Sequence, residues 1–219
     1  MEIVLVTLLG GLLALDGTSV GQFMFSRPLV AGAVVGWALG SPALGVTVGA
    51  ILELYLLVSF PTGGSRFPEG ATATVVAVAS AAGSTAAGAL PLAVAIGLVW
   101  GQLGGLSITA LRHANSRLVP EPNRAPRGGR DVTSAQVLAI LLDFSRGAVV
   151  TLSGVVVGRA MITGFGDAWT VEPLASIGLL LVGGSVSVGI LLRDLGGFRR
   201  RKVLLVAGMA IGILGARFL

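Results

Sequence analysis

Apolar side chains dominate this chain in long runs, and short polar segments separate one run from the next. The runs extend over Ile3 to Leu15, Pro28 to Gly40, Ala43 to Phe60, Ala71 to Leu90, Leu92 to Leu111, Ala135 to Met161, Leu174 to Leu192 and Val203 to Leu219. A helix needs about 20 apolar residues to cross the hydrocarbon core of a bilayer, and several runs approach or exceed that length. The pattern therefore predicts an all-α, polytopic integral membrane protein with seven or eight membrane-embedded helical pieces.

The first part of the chain differs from the rest because its apolar runs are short or interrupted. Ile3 to Leu15 is too short to cross a bilayer alone, so it either bends at Asp16-Gly17 and continues or enters and turns back. Ser41-Pro42 separates the next two runs, and proline breaks a helix because it has no backbone N–H to donate. Pro28 to Gly40 and Ala43 to Phe60 are therefore predicted to form a helical hairpin.

Interrupted hydrophobic segments indicate where a transporter binds its substrate. Irregular backbone at membrane depth is tolerated only where protein or a polar cavity covers it. We treat residues 1–219 as a single membrane domain. Residues 1–90 are therefore its hairpin-rich, predicted substrate-binding part, and residues 91–219 supply the remaining spans.

The composition supports the membrane assignment independently. Hydrophobic residues make up 54% of the chain and charged residues 11%, and the mean hydropathy is +0.93. A chain of this composition has too few polar side chains to cover the surface of a water-soluble globule of this size. The net charge of +5 does not indicate a nucleic-acid partner, because ten of the fifteen basic residues fall into two short segments between apolar runs. The absence of cysteine excludes disulfides, thiolate metal sites and a cysteine nucleophile.

The two basic segments predict the topology. Arg112 to Arg130 and Arg193 to Lys202 carry five basic residues each, whereas the connection from Gly164 to Pro173 carries none. Cytoplasmic loops are enriched in Lys and Arg, so both basic segments are predicted to be cytoplasmic and the connection external. Anionic lipid head groups or a cytoplasmic partner would also suit the two basic segments.

Glu53 is an acidic residue within an otherwise uncharged apolar run, Ala43 to Phe60. A carboxylate in a membrane span costs about 2.5–3.5 kcal/mol on insertion scales, so it normally faces a partner, a cavity or a substrate. One interpretation is an ion pair with Arg27 or Arg66. The other, which we expect, is a transport site.

Glycines recur at every fourth position of the predicted hairpin. Gly32, Gly36 and Gly40 follow this spacing in its first arm, and Gly45 and Gly49 repeat it in the second. Small residues at this spacing let two helices approach closely in a membrane. Chance pairing is the alternative in a chain with 34 glycines.

Several short motifs in this region occur in an order that resembles a known family. They are Gln22-Phe23-Met24-Phe25-Ser26-Arg27-Pro28-Leu29-Val30, then the spaced glycines, then Leu52-Glu53-Leu54, and then Pro68-Glu69 before an alanine-rich run. The chain resembles the IIC membrane subunit of the mannose/fructose/sorbose family of the bacterial sugar phosphotransferase system, over about residues 15–85. Gly101-Gln102 and Arg146 follow where that family has a Gly-Gln pair and an intramembrane arginine. Ser26 and Glu69 depart from the family's histidine and aspartate.

The resemblance implies a multi-pass permease of the bacterial cytoplasmic membrane. It implies a core domain with broken hairpins beside a scaffold domain, an elevator-like movement, and an oligomeric complex with a homologous IID subunit. The cargo would be a hexose-type sugar. IIB would phosphorylate it from a phosphohistidine that IIA charges, so the chain would not be an enzyme on its own.

His113 is the single histidine and therefore the only candidate phosphoryl carrier in a chain without cysteine. It lies beside Arg112 in a basic segment, where a solvated histidine is the commoner explanation. We therefore expect this chain to bind sugar without a cofactor or metal, and its partners to perform the phosphoryl chemistry.

Sugar hydroxyls need carboxylates and amides as hydrogen-bond partners, because an unpaired buried hydroxyl costs free energy. Given the resemblance, the candidate substrate-binding residues are Gln22, Glu53, Glu69, Asp16 and Gln102. Other roles remain open: Asp16 could cap a helix, Glu69 could be an interfacial loop acid, and Gln102 could bond between helices.

Three further charged residues are structural or counter-ion candidates. Arg27, immediately before Pro28, would anchor the hairpin or neutralise a carboxylate. Asp143 and Arg146 lie three residues apart on one helix face and can form an intrahelical pair.

Two classes of function remain at this point. The first is the sugar permease subunit. The second is a membrane scaffold without transport, or an ion-coupled secondary transporter that has the same fold but no phosphotransferase partners.

Overall fold

A computed structural model of the protein describes residues 1–59, 65–118, 129–194, 196 and 198–215. Within these ranges the chain is all-helical, as predicted, with eight α-helices and no strand. They are α1 (Glu2–Thr18), α2 (Pro28–Ala38), α3 (Pro42–Leu56), α4 (Gly70–Ala81), α5 (Ala89–Ser116), α6 (Gly129–Phe165), α7 (Pro173–Asp194) and α8 (Phe198–Gly215). Within the described part of the chain, three segments are long and apolar enough to cross a membrane, namely Ala89–Ser116, Val132–Phe165 and Pro173–Asp194.

The predicted hairpin is present as α2 and α3. Each helix begins with a proline, which fits the first helical position because the N–H there has no intrahelical partner. A β-carbon on Gly36 would lie only 2.7 Å from Cα of Gly45, so the two backbones touch where the spaced glycines meet. Gly40 has a different role: its φ of +68° ends α2 in the left-handed region, and no atom would crowd a side chain there.

The apolar run from Ala71 to Leu90 has the length of a membrane span, but it does not form one continuous helix. The helix α4 ends at Ala81, and the chain then turns through Gly83, whose φ of +76° favours glycine. The next helix begins at Ala89, so Pro91 lies in its first turn, where a proline is tolerated, and does not separate two spans.

The core forms around α4, which is the most deeply buried helix. Every residue from Ala71 to Ala81 is buried, and α1, α2, α3, α5 and α6 all pack against this helix. Its alanine, valine and threonine side chains are small, which lets five helices approach it. The outer helices α6 and α7 instead expose many apolar side chains, as expected of surfaces that face lipid.

The basic segments are more helical than predicted. Arg112 lies in α5, and Arg199 to Lys202 lie in α8. The middle of the first basic segment, residues 119–128 with Arg124 and Arg127, lies outside the described residues, as do residues 216–219 of the final apolar run.

One hydrogen bond identifies two connections at the same end of the molecule. The N–H of Gly88, before α5, donates to the carbonyl oxygen of Gly166, after α6, at 3.0 Å. The α4–α5 and α6–α7 connections therefore meet. The second of them is the connection predicted to be external.

Candidate functional site

A cavity of about 380 Å³ lies where the end of α1, the segment between α1 and α2, the start of α4 and the last turns of α5 come together. Apolar parts of its wall include Met24, Phe67 and Ile108. The polar and charged lining residues are Asp16, Thr18, Gln22, Ser26, Arg27, Glu69 and Arg112. The cavity is therefore bounded by interrupted helices, as the short apolar runs predicted.

Asp16 builds one wall of this cavity. Its carboxylate accepts hydrogen bonds from the backbone N–H groups of Phe23, at 2.7 Å, and Ser26, at 2.8 Å. Gln22 and Met24, both in the wall, have φ values of 56° and 68°, a left-handed conformation that is costly for residues other than glycine. The Asp16 carboxylate holds the segment in this shape and so presents Gln22 to the cavity.

Glu69 immediately precedes α4 and is 4% exposed. Arg146 binds its carboxylate with two parallel hydrogen bonds, from Nη2 to Oε1 at 2.7 Å and from Nη1 to Oε2 at 2.9 Å. The hydroxyl of Thr72 donates to Oε2 at 2.8 Å. Gly104 makes room for this arrangement, because a β-carbon there would lie 2.7 Å from Oγ1 of Thr72.

Arg146 connects Glu69 to a second buried carboxylate. Its Nε donates to Oδ1 of Asp143 at 2.9 Å, which is the predicted intrahelical pair, and its Nη1 also donates to the hydroxyl of Ser107 at 2.9 Å. The other oxygen of Asp143 accepts from the hydroxyls of Thr18 and Ser19 at the end of α1. This network joins α1, α4, α5 and α6 behind the cavity.

The cross-helix part of this network does not follow from the sequence pattern. Glu69 and Arg146 are 77 positions apart, and Thr18 lies 125 positions from Asp143. The available signal was that a buried charge in a membrane span must find a partner. That signal identified the residues without saying which of them would meet.

Glu53 lies outside the cavity lining. Its carboxylate accepts from the guanidinium of Arg27 and from the backbone N–H of Leu29 at 3.2 Å. The ion pair that we set out as the alternative for Glu53 is thus present, and it is Arg27 that lines the cavity. Of the two candidate glutamates, Glu69 lines the cavity and Glu53 does not.

The other predicted residues divide between the cavity and the surface. Asp16, Gln22 and Glu69 line the cavity, whereas Gln102 is exposed on α5 and lies outside the lining. His113 is also exposed outside the lining, with Nδ1 2.8 Å from the carbonyl oxygen of Thr109. No group of three or more potential metal ligands meets among the described residues.

Comparison with known proteins identifies the family. The sequence model of the family described as the sorbose-specific IIC component of the phosphotransferase system matches residues 1–196. The chain belongs to this family. The predicted resemblance is therefore confirmed, and with it the assignment to the permease-type membrane subunits of that system.

The structural comparison concerns the fold alone. A solved structure described as "Structure of membrane protein" has a TM-score of 0.70 to this IIC-family chain at 19% sequence identity, covering 99% of this chain and 94% of that one. Comparison with curated proteins gives no match. The fold is thus one that a known membrane protein also adopts.

Proposed function

We propose that this chain is the sugar-translocating IIC subunit of a phosphotransferase-type uptake complex, and that it binds a hexose-type sugar while partner subunits phosphorylate it. The observation that carries the proposal is the polar cavity at the interrupted helices, with the carboxylate of Glu69 held in its wall by Arg146. A cavity of this size, with polar groups that converge on it from several helices, is typical of a site for a small polar ligand.

The cavity offers the hydrogen-bond partners that a sugar needs. A carboxylate has about four acceptor positions, and Arg146 and Thr72 supply three donors to Glu69, which leaves an acceptor for a hydroxyl. The side-chain amide of Gln22 can both accept and donate. Phe67 and Met24 provide apolar surface for the C–H faces of a sugar ring.

The roles in this proposal differ from residue to residue. Glu69 and Gln22 contact the sugar, and Asp16 fixes the segment that carries Gln22. Arg146 orients Glu69, while Glu53 orients Arg27 at the cavity wall. Gln102, at the surface, takes no part in binding.

The phosphoryl chemistry belongs to partner subunits in this proposal. The chain has no cysteine, and His113 lies outside the cavity lining. A IID subunit would complete the membrane complex, cytoplasmic IIB would phosphorylate the sugar, and IIA would recharge IIB. The complex would work as an oligomer in the bacterial cytoplasmic membrane.

Reconstituted uptake tests this function. Vesicles that contain this chain, IID and energised IIA and IIB should accumulate sugar phosphate, and Glu69→Gln should abolish accumulation at unchanged membrane abundance. Glu172→Gln is the matched control, because it makes the same chemical change on an exposed residue outside the cavity.

Two other results would contradict the proposal. Accumulation of unmodified sugar driven by an ion gradient would identify an ion-coupled secondary transporter. Absence of sugar binding in any assembly would favour a membrane scaffold.

A further inference from the structure

Arg27 and Arg112 line the candidate sugar site, and a third arginine, Arg146, binds the lining residue Glu69. Arg146 binds the carboxylates of Glu69 and Asp143, and Arg27 binds that of Glu53. Among the described residues, Arg112 has no carboxylate partner. It is therefore the arginine at this cavity whose charge is available to an anionic ligand.

The contacts that Arg112 makes with other described residues leave most of its donors unoccupied. Its Nη1 lies 3.4 Å from the carbonyl oxygen of Ser65, and its Cζ lies 5.8 Å from the ring centroid of Phe67. A guanidinium has five N–H donors in a planar fork, which suits the oxygens of a phosphate group. Arg112 lines the cavity and is exposed, so it lies where the cavity meets the surface.

Arg112 lies about two helical turns further along α5 than the residue that packs against Glu69. Gly104, Ile108 and Arg112 lie four residues apart on one face, and Gly104 packs against Glu69. At 1.5 Å per residue, Arg112 lies about 12 Å further along the helix than the turn next to Glu69. That separation accommodates a sugar ring at Glu69 with a phosphate group directed toward Arg112.

The position of Arg112 along the chain places it toward the predicted cytoplasmic side. It precedes the end of α5 by one turn, and the following residues include Arg117 and the rest of the first basic segment. The start of α5 is at the opposite end, where Gly88 bonds to Gly166 in the predicted external connection. A phosphorylated product would leave past Arg112.

We propose that Arg112 binds the phosphoryl group of a hexose phosphate at the mouth of this cavity. The inference rests on the proposed function, because it requires a sugar in the same cavity. It assigns recognition of the anionic product to a residue that is not needed to hold the Glu69 network. The neutral sugar and its phosphate ester would then share one site but differ in their dependence on Arg112.

Equilibrium binding to the full chain in lipid nanodiscs tests this assignment. The probes are mannose, fructose and sorbose, the phosphate monoesters of each, and inorganic phosphate. For the hexose that binds, the affinity for its phosphate relative to the free sugar should fall roughly 10- to 100-fold in Arg112→Gln, the effect of one lost charge-assisted interaction. Arg112→Lys should lose less, because it keeps the charge but not the planar fork.

Arg117→Gln is the matched control, because it removes the same charge from the exposed cap of the same helix outside the cavity. An unchanged affinity ratio in Arg112→Gln would overturn the proposal, as would an equal loss in Arg117→Gln, which would indicate a diffuse basic surface. Inorganic phosphate binding as tightly as the ester, again through Arg112, would overturn the sugar-phosphate assignment and identify a site for free phosphate. Absence of binding of every free sugar and every ester to the parent chain would overturn the proposed function and this inference together, whereas binding of the free sugar with an unchanged ratio in Arg112→Gln would overturn this inference alone.

Discussion

Among the ion pairs of the described residues, Arg146–Glu69 and Arg27–Glu53 each place one member in the cavity lining, and the two pairs differ in burial and in position. The side chains of Arg146 and Glu69 are 8% and 5% exposed, and the acid lines the cavity. Those of Arg27 and Glu53 are 26% and 20% exposed, and the arginine lines the cavity. The same two residue types thus present opposite charges to one ligand site.

The comparison shows that a charged residue in an apolar run does not by itself identify the group that binds substrate. Glu53 is conspicuous in the sequence, yet its ion pair with Arg27 is only partly buried and Glu53 itself lies beside the cavity. Glu69 is less conspicuous next to a loop, yet it is nearly buried and belongs to a network with Asp143. Burial and packing, which a hydropathy pattern does not report, separate the two cases.

The largest expected effect follows from removing the cation between the two buried acids. Arg146→Gln leaves Glu69 and Asp143 without their shared partner, and loss of one member of a buried ion pair costs about 3–5 kcal/mol. The thermal unfolding midpoint of the purified protein in detergent should fall accordingly, with Arg117→Gln as the exposed control. Adding Glu69→Gln to Arg146→Gln should recover part of the loss. An unfolding midpoint equal to that of the parent chain would show that the network contributes nothing.

Glu69→Gln tests which carboxylate meets the sugar. The amide keeps the shape but weakens the acceptor that Arg146 orients, so sugar affinity should fall by about tenfold or more. Equilibrium binding of labelled sugar measures the effect, and membrane abundance monitors folding. Unchanged affinity in a folded Glu69→Gln protein would remove Glu69 from the site.

Glu53→Gln should have a smaller effect than Glu69→Gln in the same binding assay. A partly exposed ion pair contributes about 0–1 kcal/mol, which corresponds to less than about a fivefold change in affinity through Arg27. Because Glu53 does not line the cavity, the loss is indirect. If Glu53→Gln abolished binding and Glu69→Gln did not, the roles we assign to the two pairs would be reversed.

The smallest effect concerns the hydroxyl donors at the end of α1. Thr18→Val removes one of two hydroxyls that donate to Asp143 while keeping the side-chain shape, and should cost about 1 kcal/mol of unfolding free energy. Thr47→Val is the matched control, because that hydroxyl donates within its own helix to the carbonyl oxygen of Ala43 at an exposed position. Equal shifts in the unfolding midpoint for both variants would count against a special role for the Asp143 contact.

Local chemistry made several features of the fold predictable. Ser41-Pro42 correctly separates the arms of the hairpin, and the spaced glycines correctly mark where the arms touch. The intrahelical pair of Asp143 and Arg146 also follows from a spacing of three. Each of these depends on residues close together in the chain.

Other features could not be derived in this way. The run from Ala71 to Leu90 has the composition of a span, but its helix ends at Ala81 because Gly83 adopts a left-handed turn. The contact between Glu69 and Arg146 joins residues 77 positions apart. Hydropathy gives the cost of burying each charge but not the identity of the charge that offsets it.

The sequence by itself determined the helical membrane class and the hairpin, because the length of an apolar run, proline and glycine act over a few residues. It also determined membership of the IIC family, because the short motifs occur in the family's order. Only the tertiary structure decided that Glu69 lines the cavity, that Glu53 pairs with Arg27 beside it, and that Arg112 has no carboxylate partner among the described residues. The physical reason is that charge pairing across helices depends on how the helices pack around α4. That packing is a property of the whole molecule.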